Sequence, residues 1–268
     1  MADFFAFLLW DYIGNSVRFI KSTIGTNLMA KGFFITGTDT GVGKTVITAA
    51  LIRAIKLLGF KVGGMKPIET GCLKSDFRDE NGGLIPSDGM FLKEMAGMDD
   101  LIDLVTPVRF RNPLAPFPAS EIENVLVDIE KIKKAYSELS KKFDVVIVEG
   151  IGGLLVPITK HYFVIDLARE FSLPAIIVSK PGLGTINHTL LTVNYAIKEG
   201  LDVAGIIINY SQPSDSTIAE ATNPEVIRQI SSVPLLGIFP YIGEIQSASI
   251  EKAALENIDL ERIRRYLF

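Results

Sequence analysis

The chain predicts an α/β fold, a doubly wound domain on a mostly parallel sheet. Three observations predict it. Strand-like and helix-like segments alternate along the sequence. Most strand-like runs are continuous Val/Ile stretches without period-two alternation, as parallel strands covered on both faces require. The first of these runs leads into a glycine-rich turn and then a helical segment. Candidate strands are residues 32–36, 61–66, 144–148, 175–178, 203–209 and 235–238. Candidate helices are 46–58, 87–96, 128–141, 185–198, 223–230 and 255–267. The alternation implies right-handed crossovers. Ligands of such sheets bind beyond the carboxyl ends of the strands, so the chemistry is expected just after each strand.

The first strand ends in Thr36-Gly-Thr-Asp-Thr-Gly-Val-Gly-Lys-Thr45. Glycines let backbone N–H groups turn toward phosphate oxygens, and the following helix N-terminus favours an anion. Lys44 reaches β- and γ-phosphates in such a loop, and the Thr45 hydroxyl is a Mg²⁺ ligand. The spacing departs from G-x-x-x-x-G-K-[ST], because position 38 is Thr38 and the nearest upstream glycine is Gly37. Strand, loop and helix together still read as a fold of the phosphate-loop NTPase type. A glycine-rich turn of a dinucleotide fold would leave Lys44-Thr45 at a helix start unexplained.

The second strand ends at Lys66, in Gly64-Met-Lys-Pro67. A lysine there either neutralises charge on a transferring phosphoryl group or is an exposed turn residue. Thr70-Gly71 follows, offering a substrate a hydroxyl and a backbone N–H. Asp88 begins the next helix and is either an acidic metal partner or a helix cap. The stretch 107–118, with several prolines, reads as an ordered loop. Residues 131–142 interleave charges with apolar residues, as a solvated helix face does. The strand 144–148 delivers Glu149, followed by Gly150-Ile-Gly-Gly153. A carboxylate there serves a metal in phosphate-loop enzymes; the other reading is a solvated turn, against which the glycines argue. His188 lies at a helix start and reads as a packed or hydrogen-bonded residue. No His/Cys spacing suits a metal, and no Ser-His-Asp signal is present.

At 268 residues the chain suits one large domain. A net charge of −4 gives no reason to expect nucleic acid as a partner. The single cysteine, Cys72, cannot form an intrachain disulfide, which together with the loop points to a reducing, cytoplasmic setting. No apolar run approaches a membrane span. Residues 1–28 differ in kind from residues 29–268. Met29-Ala-Lys-Gly resembles an ordinary start just before the first strand, so 1–28 reads as an upstream start or dispensable extension. The alternative is an amphipathic helix that docks on the body, a neighbour or a membrane surface.

Taken together, the phosphate loop, Gly64-Met-Lys-Pro67, Ser87-Asp88, Val148-Glu-Gly-Ile-Gly-Gly153, Gly184-Thr-Ile-Asn-His188 and Pro234-Leu-Leu-Gly-Ile-Phe-Pro240 resemble the dethiobiotin synthase family, in its order. The resemblance implies an ATP- and Mg²⁺-dependent ligase, cytoplasmic and homodimeric, that carboxylates 7,8-diaminopelargonic acid with CO₂ and closes a cyclic urea. By resemblance, Lys66 and Lys44 are catalytic. Thr40, Gly41, Val42, Gly43, Lys44, Thr45 and Val46 wrap the phosphates, with Gly150, Ile151 and Gly152 beside them. Thr45, Asp88 and Glu149 place the metal. Asn209, Pro240, Tyr241 and Ile242 match the adenine side. Thr70, where the family normally has serine, contacts substrate. Leu183, Gly184 and Asn187 match a loop that reaches the neighbouring subunit's substrate. The competing expectations are a nucleotide-sensing or partitioning ATPase of this fold, or a related amide synthase.

Overall fold

The structure, a computed structural model, describes residues 31–74, 83–214 and 217–268. The expectation for residues 1–28 lies outside the described residues. The strands are β1 (Lys31–Gly37), β2 (Val62–Met65), β3 (Ile68–Thr70), β4 (Leu73–Lys74), β5 (Leu84–Ile85), β6 (Val108–Phe110), β7 (Val145–Glu149), β8 (Pro157–Thr159), β9 (Tyr162–Phe163), β10 (Ala175–Ser179), β11 (Val203–Asn209) and β12 (Leu235–Phe239). The helices are α1 (Lys44–Leu57), α2 (Ser87–Ala96), α3 (Ile102–Val105), α4 (Pro116–Glu123), α5 (Ile129–Lys142), α6 (Val164–Phe171), α7 (Thr185–Lys198), α8 (Ile218–Ile230), α9 (Ser247–Asn257) and α10 (Leu260–Arg265).

The main sheet runs β12-β11-β10-β1-β7-β2, every pair parallel. The central strands are buried throughout. Phe33, Phe34 and Ile35 of β1, Val145 to Val148 of β7 and Ala175 to Val178 of β10 have no exposed surface. That is why their sequences lack polar alternation. The order reverses around β1, and the loop after β1 therefore opens into the crevice at the carboxyl edge.

All six expected strands form. Helix α2 and helix α7 have the expected limits. Helix α1 begins two residues earlier than expected, because Gly43 caps it in the left-handed region at φ 85°. Helix α8 begins at Ile218, five residues before the expected start, behind a Thr217–Glu220 capping box. Pro224 hides this in the sequence. Its ring removes the N–H that would bond to the Glu220 carbonyl, and the Tyr210 hydroxyl donates to that carbonyl instead, at 3.2 Å. The expected helix 255–267 is two helices. Ile258 bridges to Gly237 beside β12, the Asp259 N–H donates to Leu236 O, and Asp259 then caps α10 through Arg262 N. The stretch 107–118 is not only a loop. Val108–Phe110 pairs with β3, and α4 starts at Pro116, whose fixed φ suits a first helical turn.

Helix α5 shows how local pattern becomes packing. Ile132, Ala135, Tyr136 and Leu139 are buried at helical spacing, while its lysines and glutamates face out. Tyr136 stacks on Phe171 with ring centroids 4.2 Å apart. Asp128 caps the helix by accepting the Lys131 N–H at 2.8 Å. Asp128→Ala removes that cap and is expected to cost about 1 kcal/mol. In a chain of this size that lowers Tm by roughly 2–4 °C. A thermal melt checks it, with nucleotide affinity unchanged.

Candidate active site

A cleft of about 300 Å³ at the carboxyl edge is lined by Thr40, Gly41, Gly43, Lys44, Thr45, Lys66, Glu69, Thr70, Asp88, Glu149, Ile151 and Gly152. Glu149 ends β7, Glu69 and Thr70 lie on the short strand β3, and the others come from loops or helix starts. Gly43 stands where no side chain fits: besides its positive φ, a Cβ there would lie 2.0 Å from Asn209 Nδ2. Asn209, at the end of β11, is buried and donates from Nδ2 to the Val42 carbonyl at 2.8 Å. The phosphate loop is thus tied to a strand two positions away across the sheet.

Lys66 is not an exposed turn residue. It is 4 % exposed, and its Nζ lies 2.5 Å from Glu149 Oε1 and 3.1 Å from Asp88 Oδ2. Burial alone would lower its pKa, but the two carboxylates outweigh that and hold it above the usual lysine value. Glu149 is 1 % exposed, so the solvated-turn reading fails. Its Oε1 also accepts the Thr45 hydroxyl at 3.0 Å. Asp88 lies within the first turn of α2, and its carboxylate faces Lys66 rather than capping the helix. Lys44 is buried, with Nζ 3.3 Å from Asp39 O. Burial, then the neighbouring charge of Lys66, lowers its pKa to about 8.

A magnesium ion fits these donors. Glu149 Oε2 is buried without a hydrogen-bond partner. The Thr45 hydroxyl contacts the same carboxylate at Oε1, and the Asp88 carboxylate shares Lys66 with it, an all-oxygen set of the kind a hard cation takes. Two lysines face three carboxylates in the cleft, so a polyanion such as ATP is better received with a dication than alone.

Val42 and Gly150 are buried behind the cleft, and Val46 sits on the first turn of α1. Gly150 N–H bonds to Ile35 O, which locks the turn after β7 to β1. Pro240, Tyr241 and Ile242 follow β12 at the same edge but do not line this cleft. Leu183 and Gly184 are not in it either. Leu183 lines a second depression of about 240 Å³ with Thr38, Asp39, Lys180, His188 and Tyr210. Asn187 is exposed and lines neither. His188 is exposed rather than packed, because it sits on the outer face of the first turn of α7. Sequence reasoning missed Glu69. Its partners lie 19 and 20 positions onward, a distance at which no local pattern signals a contact.

The profile of a family described as an AAA domain matches residues 31–249. The ATP-dependent dethiobiotin synthetase of Thermodesulfovibrio yellowstonii is 50% identical over 242 residues, covering 88% of this chain and 99% of that protein. The chain belongs to the dethiobiotin synthetase family. Membership makes it an ATP-dependent ligase. The synthetase of Aquifex aeolicus is 43% identical over 219 residues, covering 81% of this chain and 91% of its own. Among solved structures, the cell division ATPase MinD of Pyrococcus furiosus superposes with a TM-score of 0.51 at 21% identity, over 88% of this chain and 99% of that one. MinD complexed with Mg-ADP, from Pyrococcus horikoshii, gives 0.50 at 20%, over 89% and 93%. These two likenesses bear on the fold, phosphate-loop α/β. Among the described residues no helix is long and apolar enough to cross a membrane.

The lowered pKa of Lys44 has a measurable sign. With its pKa lowered to about 8, this lysine is expected to be partly neutral in the free protein near that pH, and a phosphate bound against it would restore the charge. Nucleotide binding should therefore take up protons near pH 8 and above, and almost none near pH 6.5. Calorimetry in buffers of different ionisation enthalpy measures this, and Lys44→Met should abolish the uptake.

Proposed function

We propose that the protein makes dethiobiotin from 7,8-diaminopelargonic acid, CO₂ and ATP. One observation carries the reading. A buried, charged lysine, Lys66, stands between two carboxylates in the same cleft as the phosphate-loop lysine and the Thr70 hydroxyl. A partner-switching ATPase has no need of a second buried lysine and a free hydroxyl at that place.

One amine of the diamine captures CO₂ as a carbamate, releasing a proton. A carbamate oxygen attacks the γ-phosphorus and ADP leaves, giving a carbamic–phosphoric anhydride. The second amine attacks the carbonyl carbon, phosphate departs, and the ring closes with loss of a proton. The transfer needs placement and charge neutralisation more than covalent help. Lys44 holds the β/γ-phosphates. Lys66 stabilises carbamate and developing phosphoryl charge. Thr70 orients the substrate. Thr40 to Val46 and Gly150 to Gly152 enclose the nucleotide, with Asn209 and Pro240 to Ile242 on the adenine side. Thr45, Asp88 and Glu149 would hold Mg²⁺, which when bound would supply charge neutralisation to the phosphates.

The active form in this reading is a cytoplasmic homodimer, with Leu183, Gly184 and Asn187 of one subunit serving the other's substrate. Leu183 is 94 % exposed, and Leu155 and Leu191 lie exposed along an apolar depression between Gly37 and Tyr195. Apolar surface of that kind suits a covering partner.

Purified protein given the diamine, bicarbonate, Mg²⁺ and ATP should yield ADP and a product with the mass of dethiobiotin. ATP turnover indifferent to the diamine would end the proposal. Lys66→Ala should lower kcat by about 10²–10³ while nucleotide still binds. A near-normal kcat would remove Lys66 from the chemistry.

A further inference from the structure

Glu69 has no part in the steps above, yet it is 6 % exposed and lines the same cleft. Its carboxylate is fully engaged on the start of α2. Oε1 accepts the Asp88 N–H at 3.0 Å and Oε2 accepts the Gly89 N–H at 2.9 Å. The residue at the N-cap itself, Pro86, offers no side-chain acceptor. A carboxylate brought from outside thus fills the place of the missing cap, where the helix field favours negative charge.

Position is what this contact supplies. Glu69 lies on β3, three residues after Lys66 and next to Thr70. That strand is fixed by its ladder with Val108–Phe110, and Lys66 N–H bonds to Val105 O. Gly89 is pressed against the same segment, since a Cβ there would lie 2.0 Å from Thr106 Oγ1. The first turn of α2 is therefore held by the Glu69 carboxylate and packed at Gly89 against Thr106. Asp88 sits in that turn, and its carboxylate comes within 3.1 Å of Lys66 Nζ.

We infer that Glu69 is a positioning residue for the metal: it sets the height of α2 so that the Asp88 carboxylate stands beside Glu149 and Thr45. The inference rests on the proposed magnesium site. Glu69 acts through Asp88 and touches neither metal nor phosphate. Its loss should weaken the cation more than the nucleotide.

The test is Mn²⁺ affinity, read by electron paramagnetic resonance on full-length protein saturated with a non-hydrolysable ATP analogue, with thermal melts alongside. Glu69→Gln keeps the volume and one acceptor, and should weaken Mn²⁺ three- to tenfold. Glu69→Ala should weaken it further, so that the amide gives partial rescue. Asp88→Asn should weaken Mn²⁺ at least as much, and adding Glu69→Gln to it should change affinity by less than twofold, because the two act in one line. Should Glu69→Ala not fold, Glu69→Asp, which keeps the charge but withdraws it by one methylene, takes its place. If the Glu69 variants lower the melting point but bind Mn²⁺ as wild type while Asp88→Asn does not, the inference is wrong and the metal site stands. Fully additive penalties would also overturn it. If Asp88→Asn itself leaves Mn²⁺ binding unmoved, the magnesium reading fails and takes the inference with it.

Discussion

The ion pair between Lys66 and Glu149 is the interaction around which the cleft is arranged. Both groups are out of water, and at 2.5 Å each supplies the counter-charge the other needs. Removing one partner of such a pair typically costs about 3–5 kcal/mol, because the other charge is left buried and alone. The pair therefore holds the end of β7 and the turn after β2 in one relation. Those strands are direct neighbours in the sheet, Met65 facing Val148. Thr45 joins through its hydroxyl to Glu149, and Asp88 through Lys66. Four segments of separate sequence origin meet on two charged side chains.

The same logic sets the two lysines apart. Lys66 is kept charged by carboxylates in direct contact, whereas Lys44 is buried, donates to the Asp39 carbonyl, and has its pKa lowered by burial and by the like charge of Lys66 more than the nearby carboxylates raise it. Lys66 brings a fixed charge. Under the proposed function, Lys44 has a charge that phosphate contact completes. A site that moves a phosphoryl group uses both: one cation that does not change through the reaction, and one whose charge is tied to the ligand.

Most of the fold was legible in the sequence because the central strands are buried on both faces and so write themselves as apolar runs. The boundaries that failed did so where tertiary contacts outbid local pattern. Ile258 and Asp259 break a helical periodicity because the edge of β12 captures them. Pro224 masked the first turn of a helix because the hydroxyl of Tyr210, the residue after β11, answers the carbonyl it frees. In the site, Lys44, Thr45, Lys66, Thr70, Asp88 and Glu149 were readable from their places after strands. The cleft brings together all six. Asn209 was readable as a residue of interest, but its bond to the Val42 carbonyl was not. That contact spans 167 positions and depends on sheet order.

Sheet order also explains why Asn209 and Glu69 resemble each other in what they do. Each is a buried polar side chain on a strand, Asn209 at the end of β11 in the main sheet and Glu69 within β3 of the β3–β6 pair, and each grips backbone of a segment that carries functional groups. Asn209 holds the phosphate loop at Val42, one residue before the glycine whose missing Cβ makes room for it. Glu69 holds the first turn of α2 at Asp88 and Gly89, again at a glycine that admits a close neighbour. Loops at the end of a parallel sheet have few backbone partners of their own. A side chain from a rigid strand, paired with a glycine in the loop, supplies the missing constraint. Geometry in the cleft is thus inherited from strands, β11 of the main sheet and β3 of the β3–β6 pair, through two amide- and carboxylate-to-backbone contacts rather than from the loops themselves.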